Sequence, residues 1–477
     1  MSNLKIAFAT AESAPFIVTG GLGEVAGSLT KALANKYKEN IDIRIILPLY
    51  KCINKESLEF ITDTTVNLSW RKQYCGIFKK IENNVTYYFI DNEYYFKRND
   101  LYGHFDDGER FAFFSKAVLH ILPIIDFKPD IIHANDWQTS LIPVYLKTIY
   151  KDNFLYNNIK SIITIHNIEY QGKYDLTASE DVFELSSYQK GIVEYNGCLN
   201  LLKGALESAD VISTVSKSYA EEIFDDYYAH GLAEILKRNS SKVIGILNGI
   251  DNSVYDPNSD AALFKNYNDL CIKNKYYNKT NLQRMLGLPQ DENIPIIAVI
   301  SRLVSHKGLD LIIKGIEEIL QEKVQFVVLG KGDRSYELYF KSLQERYHNK
   351  VAVKIDFNND MSRKIYAGAD IFLMPSISEP CGISQMIASR YGTIPVVRET
   401  GGLKDSIHDA SLGDGNGFTF YEKDSNALVD SIKRALNVYS NKENWNNLIK
   451  TAMTTDFSWN HSAEDYYQLY SNLKEQK

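Results

Sequence analysis

The chain has 477 residues, with 53 Lys+Arg against 60 Asp+Glu and a formal net charge of −7. A single core stops growing at roughly 250–300 residues, so this length implies about two domains. Apolar residues at 44% and charged residues at 24% exclude a disordered or fibrous chain. The mildly acidic balance offers no global attraction to nucleic acid or to an anionic membrane.

In chain order, apolar runs over 4–9, 41–47, 130–133 and 161–166 predict buried parallel strands. Helical patterns such as 24–37 and 109–122 separate them. The alternation restarts with runs over 294–300, 324–329, 351–355, 370–374 and 394–397. Strand–helix alternation of this kind predicts an α/β class with parallel sheets covered by helices on both faces. Between the two series lies a polar, tyrosine-rich stretch over 248–279, so the expected domains are 1–243 and 244–456. Two doubly wound sheets would set the carboxyl ends of their strands around a shared cleft, where such sheets bind ligands.

No apolar stretch approaches the roughly 18 residues of a spanning helix, and the first residues lack the pattern of a signal peptide. The five cysteines (Cys52, Cys75, Cys198, Cys271 and Cys381) are scattered and form no C-x-x-C pair. That argues against a disulfide framework or a cysteine zinc site. The expectation is a soluble cytoplasmic protein with no membrane or nucleic-acid partner; the oligomeric state is not legible.

Polar clusters stand where strands end. The first strand leads through Val18-Thr19-Gly20-Gly21-Leu22-Gly23-Glu24 into a helix, a place where backbone can approach a ligand closely and helix N–H groups face an anion. The glycine spacing does not fit the dinucleotide fingerprint, and no acid ends the second strand, so nicotinamide binding is disfavoured. A tight strand–helix turn is the plainer alternative for this loop. Two further strands end in His133-Ala134-Asn135-Asp136-Trp137 and His166-Asn167, positions suited to substrate contacts. Neither cluster has H-E-x-x-H or cysteine spacing for a metal.

In the second half, Arg302 and Lys307 flank a strand-to-helix turn and together can hold a diphosphate. Solvated surface cations are the alternative. Glu379, in Ser378-Glu379-Pro380-Cys381-Gly382, sits on a rigid loop where it can accept sugar hydroxyls or cap the next helix. The turn Thr400-Gly401-Gly402-Leu403 repeats the glycine pattern at a helix start and offers N–H groups to a second anion.

Taken in order, these fragments resemble the bacterial glycogen synthase and plant starch synthase family, retaining glycosyltransferases with a GT-B fold of two Rossmann-like domains and a deep interdomain cleft. The resemblance also rests on Tyr102-Gly103 with Asp107-Gly108-Glu109-Arg110, on Tyr170-Gln171-Gly172, on Asn248-Gly249-Ile250-Asp251, and on Phe457-Ser458-Trp459 with Tyr466. It implies transfer of glucose from ADP-glucose to the non-reducing 4-OH of an α-1,4-glucan such as glycogen, with no cofactor and no metal. Arg302 and Lys307 would grip the donor diphosphate, Glu379 would bind glucose hydroxyls, and His166 would line the reaction centre. The remaining implied substrate contacts are Val18, Thr19, Gly20, Gly21, Glu24, Tyr102, Asp136, Asn167, Asn248, Cys381, Gly382, Thr400, Gly401 and Gly402. Residues 457–477 would cross back to the first domain. The family pattern has lysine where this chain has Val18, which supplies no charge to phosphate. Two alternatives stay open at this point: the same fold with another donor such as UDP-glucose, and a weakly active glucan-binding paralogue.

Overall fold

A computed structural model describes residues 3–356 and 358–476. The chain divides into two compact units: one runs up to Asn248 and resumes at Trp459, and the other spans Gly249–Ser458. The sequence expectation placed these breaks after residues 243 and 456.

The first unit is built on strands β1 (Leu4–Ala9), β2 (Ile41–Pro48), β3 (Glu59–Leu68), β4 (Arg71–Glu82), β5 (Val85–Asp91), β6 (Ile131–Asn135) and β7 (Lys160–Ile165). Three short strands, β8 (Lys173–Tyr174), β9 (Glu194–Tyr195) and β10 (Cys198–Asn200), form a separate small sheet. With β11 (Val211–Thr214) and β12 (Val243–Gly245), the main sheet has the order β12-β11-β7-β6-β1-β2-β5-β4-β3. It is parallel from β12 through β5, but β4 pairs antiparallel with both β5 and β3. The purely parallel expectation is therefore corrected at this edge. In β3 only Val66 and Leu68 are buried, with polar or exposed residues between them. A half-buried edge strand of this kind lacks the continuous apolar run of a strand covered on both faces.

The second unit holds β13 (Ile296–Ile300), β14 (Gln325–Leu329), β15 (Val351–Lys354), β16 (Ile371–Met374), β17 (Ile394–Arg398) and β18 (Phe418–Phe420). All pair in parallel in the order β15-β14-β13-β16-β17-β18. Ile296, Ala298, Val327 and Leu329 on one face of this sheet pack with Leu282 and Ile365 from covering helices and with Ala369 just past the end of one. Residues on the opposite face, including Ile297, Phe326 and Val328, are equally buried. This two-sided burial is why the strands read as unbroken apolar runs.

The last helix, Trp459–Glu475, belongs to the first unit. Its buried residues Trp459, Ser462, Ala463, Tyr466, Tyr470 and Leu473 repeat at helical spacing and form one stripe. Tyr467 stacks on Tyr37 of helix Gly21–Tyr37, with ring centroids 3.8 Å apart. Lys36 reaches Glu464 at 3.0 Å.

Candidate active site

Each main sheet changes direction beside its first strand. In the first unit β1 lies between β2 and β6, and in the second β13 lies between β14 and β16. Connections leaving two such neighbouring strands toward opposite faces open a crevice at their carboxyl ends, the preferred ligand position of a doubly wound sheet. Most of the residues singled out from sequence stand on the loops that follow β1, β6, β7, β13 and β16.

In the first unit the loop after β1 is held by Glu12, a buried carboxylate not among the expected site residues. It accepts from the Thr19 amide at 2.5 Å, the Thr19 hydroxyl at 2.7 Å and the Tyr102 hydroxyl at 2.6 Å. The helix begins at Gly21, three residues before the expected 24. The glycines divide into two roles. A Cβ on Gly23 or Gly27 would meet backbone at 2.9 and 2.5 Å, whereas Gly20 and Gly21 face open space. The first pair serves close packing, and the second leaves room for a ligand. Val18, on the same loop, is 42% exposed, and Glu24 lies in the first turn of the helix.

Asp136 follows β6 with φ +55° and ψ −174°, a backbone region that almost only glycine occupies. Its Oδ1 accepts from the backbone amides of His166 at 2.7 Å and Asn167 at 3.4 Å. Burial pushes its carboxyl up to about 7; the two amide bonds oppose this and nearby Glu12 adds to it. The Asn135 amide nitrogen donates to the Ala9 carbonyl at 3.0 Å, so its Oδ1 is the acceptor facing His166 Nε2 at 2.9 Å. That assignment puts the imidazole proton on Nε2 and leaves Nδ1 an acceptor. Burial drives the His166 pKa down to about 3, so the ring is neutral near pH 7. The Asn167 side chain instead accepts from the Glu169 amide at 3.0 Å and closes a local turn.

His133, expected to belong to a site cluster, is corrected to a structural role. It is fully buried, with Nδ1 2.7 Å from the Tyr470 hydroxyl and Nε2 2.5 Å from Thr164 Oγ1. Of the cluster's polar groups Asp136 is half-buried, while Asn135 is buried and serves to orient His166.

In the second unit Lys307 Nζ lies 2.6 Å from Glu379 Oε2, which also accepts from Ser376 Oγ at 2.9 Å. This fixes the carboxylate and leaves Oε1 for another donor. The helix after Glu379 spans Ser384–Arg390 with Ile383 before it, so Glu379 does not cap it. Arg302 is exposed and makes no ion pair among the described residues. Gly308, with φ +71°, is needed where the β13 loop crosses the β16 loop, since a Cβ there would meet the Pro375 carbonyl oxygen at 1.9 Å.

The turn at 400–403 differs from expectation. The amides of Thr400, Gly402 and Leu403 donate to carbonyls of Arg398, of Glu379 and Pro380, and of Thr400. The helix they open has only six residues, Gly401–Ser406. Of these, the Gly402 amide supports the Glu379 loop while the Thr400 and Leu403 amides close the turn on itself, so none of the three is presented to an anion. Gly401 and Gly402 permit the contact, because a Cβ on either would meet the backbone oxygen of Glu379 or Cys381 at 2.0 or 2.2 Å. Cys381 is buried, and Gly382 takes φ +73° beneath Gln385. Arg398, 2% exposed and unanticipated, donates to the carbonyls of Ser376 at 2.8 Å and Ile377 at 2.5 Å, bracing the same loop. Asn248, the last residue of its unit's first segment, is 4% exposed with an unpartnered Oδ1. Among the described residues no group of three or more His, Cys, Asp or Glu is placed to hold a metal ion.

A family model described as starch synthase catalytic domain matches residues 5–238, and one described as glycosyl transferases group 1 matches residues 280–452. Glycogen synthase of Clostridium botulinum is 47% identical over 479 residues, covering 98% of this chain and 99% of that protein. The chain belongs to the glycogen and starch synthase family of glycosyltransferases. Within that family, glycogen synthase of Bacillus cereus is 44% identical across 99% of this chain and all of its own length. The catalytic domain of starch synthase IV from Arabidopsis thaliana matches the whole chain over its own whole length, with a TM-score of 0.92 and 33% identity. Sucrose-phosphate synthase of Thermosynechococcus elongatus, at 17% identity and a TM-score of 0.61, shares the fold. Family membership makes glycosyl transfer in glycogen synthesis the activity of this chain, carried by a two-domain α/β glycosyltransferase fold. No described helix is long and apolar enough to cross a membrane.

Proposed function

We propose that the chain transfers glucose from ADP-glucose to the non-reducing 4-OH of an α-1,4-glucan, with retention, in the cytoplasm and without a bound metal. The observation that carries the reading is the Lys307–Glu379 pair at 2.6 Å, beside the exposed Arg302 on the β13 loop. ADP fits as the donor nucleotide because the starch synthase IV structure is described as bound to ADP and acarbose.

Breaking the anomeric C1–O bond leaves an oxocarbenium-like sugar and a diphosphate that gains negative charge. Fixed cations already oriented toward that charge lower the barrier without reorganising. Lys307, held by Glu379, takes this role, the exposed Arg302 adds a second cation, and Glu379 Oε1 accepts a glucose hydroxyl. His166, neutral near pH 7, offers Nδ1 as an acceptor for a sugar hydroxyl without bringing a positive charge. Glu12 and Asp136 hold the loops that line the acceptor side. The acceptor attacks from the face the diphosphate leaves. The C1–O4 bond forms as the C1–O(phosphate) bond breaks, and the 4-OH proton passes to a departing phosphate oxygen.

The test is incorporation of labelled glucose into glycogen from ADP-glucose and, in parallel, UDP-glucose, with no added metal and with chelator present. Incorporation from ADP-glucose is expected. Incorporation only from UDP-glucose would replace the donor, and none from either by folded protein would overturn the proposal.

A further inference from the structure

We infer that the turn between β3 and β4 carries an auxiliary α-glucan binding platform, centred on Trp70 and separate from the site at the strand ends; this rests on the glucan acceptor of the proposed function. Trp70 is 73% exposed, yet it is held in one orientation. Its indole N–H donates to Asp181 Oδ1 at 2.6 Å, and the Arg71 guanidinium carbon lies 4.5 Å from the ring centroid. Arg71 is pinned in turn, donating to the Asp181 carbonyl at 2.5 Å and Oδ2 at 2.9 Å, with Glu109 at 3.3 Å. The turn is tied down by the Ser69 amide, which donates to Glu184 at 3.0 Å. Rigid bracing of a large exposed aromatic is not needed for folding. It removes in advance the entropy cost of ordering a binding surface.

The platform extends along the same network. Asp181 closes a one-turn helix, Ala178–Asp181, whose Glu180 accepts from the Ser187 amide at 3.0 Å, next to Tyr188, 98% exposed. Aromatic faces interleaved with carboxylates and a guanidinium match a glucan, which offers apolar C–H faces to stack and hydroxyl edges to hydrogen-bond. A protein partner fits less well, because the cores of protein interfaces are depleted in Asp and Glu, and here Asp181, Glu109 and Glu184 surround the ring.

Position supplies the reason for such a platform. β4 runs antiparallel to β5, with Gly76 opposite Asp91, the last residue of β5. Residues 71–75 thus project past the carboxyl end of β5, on the side of the sheet where β1, β6 and β7 end. In the order β1-β2-β5-β4-β3, Trp70 in the β3–β4 turn stands between three and four strand spacings from β1, roughly 14–19 Å across the sheet. A polymer held there keeps its chain ends at high effective concentration near the transfer site, while a short acceptor gains nothing.

The test uses the full chain and its Trp70→Ala, Trp70→Phe and Trp70→Ala/Tyr188→Ala variants. Retardation in gels containing glycogen should weaken at least fivefold in Trp70→Ala, further in the double variant, and less in Trp70→Phe. Gels containing the α-1,6-glucan dextran should not discriminate among them. The KM for glycogen should rise while kcat and the KM for maltotriose stay unchanged. Because the other three tryptophans are more buried, maltoheptaose should also shift the fluorescence of the native chain and not that of Trp70→Phe, a readout that survives if the alanine variants fail to fold. Unchanged glycogen retention in the double variant would overturn the inference. So would equal losses on dextran, or a maltotriose KM that rises with that of glycogen. Retention requires no donor, so Trp70-dependent binding without glucose transfer would sink the proposed function and leave the platform standing.

Discussion

On the proposed function, the short ion pair between Lys307 and Glu379 has two consequences: it fixes a cation for the leaving diphosphate and aims a carboxylate at the sugar. Lys307→Ala should lower kcat by about 10²–10³, as expected for loss of a preorganised electrostatic donor. Steady-state kinetics with ADP-glucose checks this, and a loss below tenfold in a folded variant would refute the role. Asp136 gives a pH-dependent prediction. Its folded pKa, raised by burial to about 7, lies above its ordinary value, so the folded state holds the extra proton between these values. Stability from this group is fully present below about pH 4 and is lost as pH rises through about 7. Asp136→Asn, which cannot ionise, should therefore melt higher than the native chain at pH 8 and match it near pH 4. Thermal melts across that range decide, and parallel curves would contradict the burial argument.

At the scale of elements, the last helix is joined to the central sheet through a polar chain: Tyr470 to His133, His133 to Thr164, and Thr164 to Ser213 at 2.5 Å. His133 is buried and its pKa is driven down to about 3, so it stays neutral and must be satisfied by neutral partners. Tyr470→Phe leaves one ring nitrogen unpartnered inside the protein. The expected cost is about 1–3 kcal/mol of folding stability, measured by urea unfolding, with little change in KM for the donor. A variant as stable as the native chain would mean that the apolar stripe of the helix alone holds it in place. The braced turn between β3 and β4 is the counterpart at the surface: there the bracing serves exposure rather than burial.

For the whole molecule, the two sheets follow one rule, a change of direction beside the first strand with the working loops at the carboxyl ends. Stability beneath them depends on buried charge. Lys275 is 3% exposed, and its ammonium faces the carbonyls of Tyr366, Ala367 and Tyr391 and the Thr393 hydroxyl. Burial lowers its pKa to about 7; Asp370 opposes this, and Lys279 lowers it further. Between that value and the ordinary lysine value the unfolded state holds the extra proton, so stability from this group rises with pH above about 7. The melting temperature of the native chain should climb from pH 7 to pH 9 more steeply than that of Lys275→Met. Equal slopes would show that Lys275 keeps its charge in the fold.

The sequence by itself determined the α/β class, the strands covered on both faces, and the loops carrying Arg302, Lys307, Glu379, Asp136 and His166. These are local signals: unbroken apolar runs mark buried parallel strands, and polar residues just past them mark the ends where ligands bind. Only the tertiary structure decided that β3 and β4 run antiparallel, because a half-buried edge strand carries a weaker pattern. It also decided that His133 belongs to the core, that the Gly402 amide braces the Glu379 loop, and that Glu12 and Arg398 hold the working loops in place. Partners such as Glu12 with Tyr102, or Arg398 with Ser376, lie far apart in the chain. A side chain's spacing along the sequence records which element it belongs to; which distant carbonyl or hydroxyl it meets is set only when those elements pack.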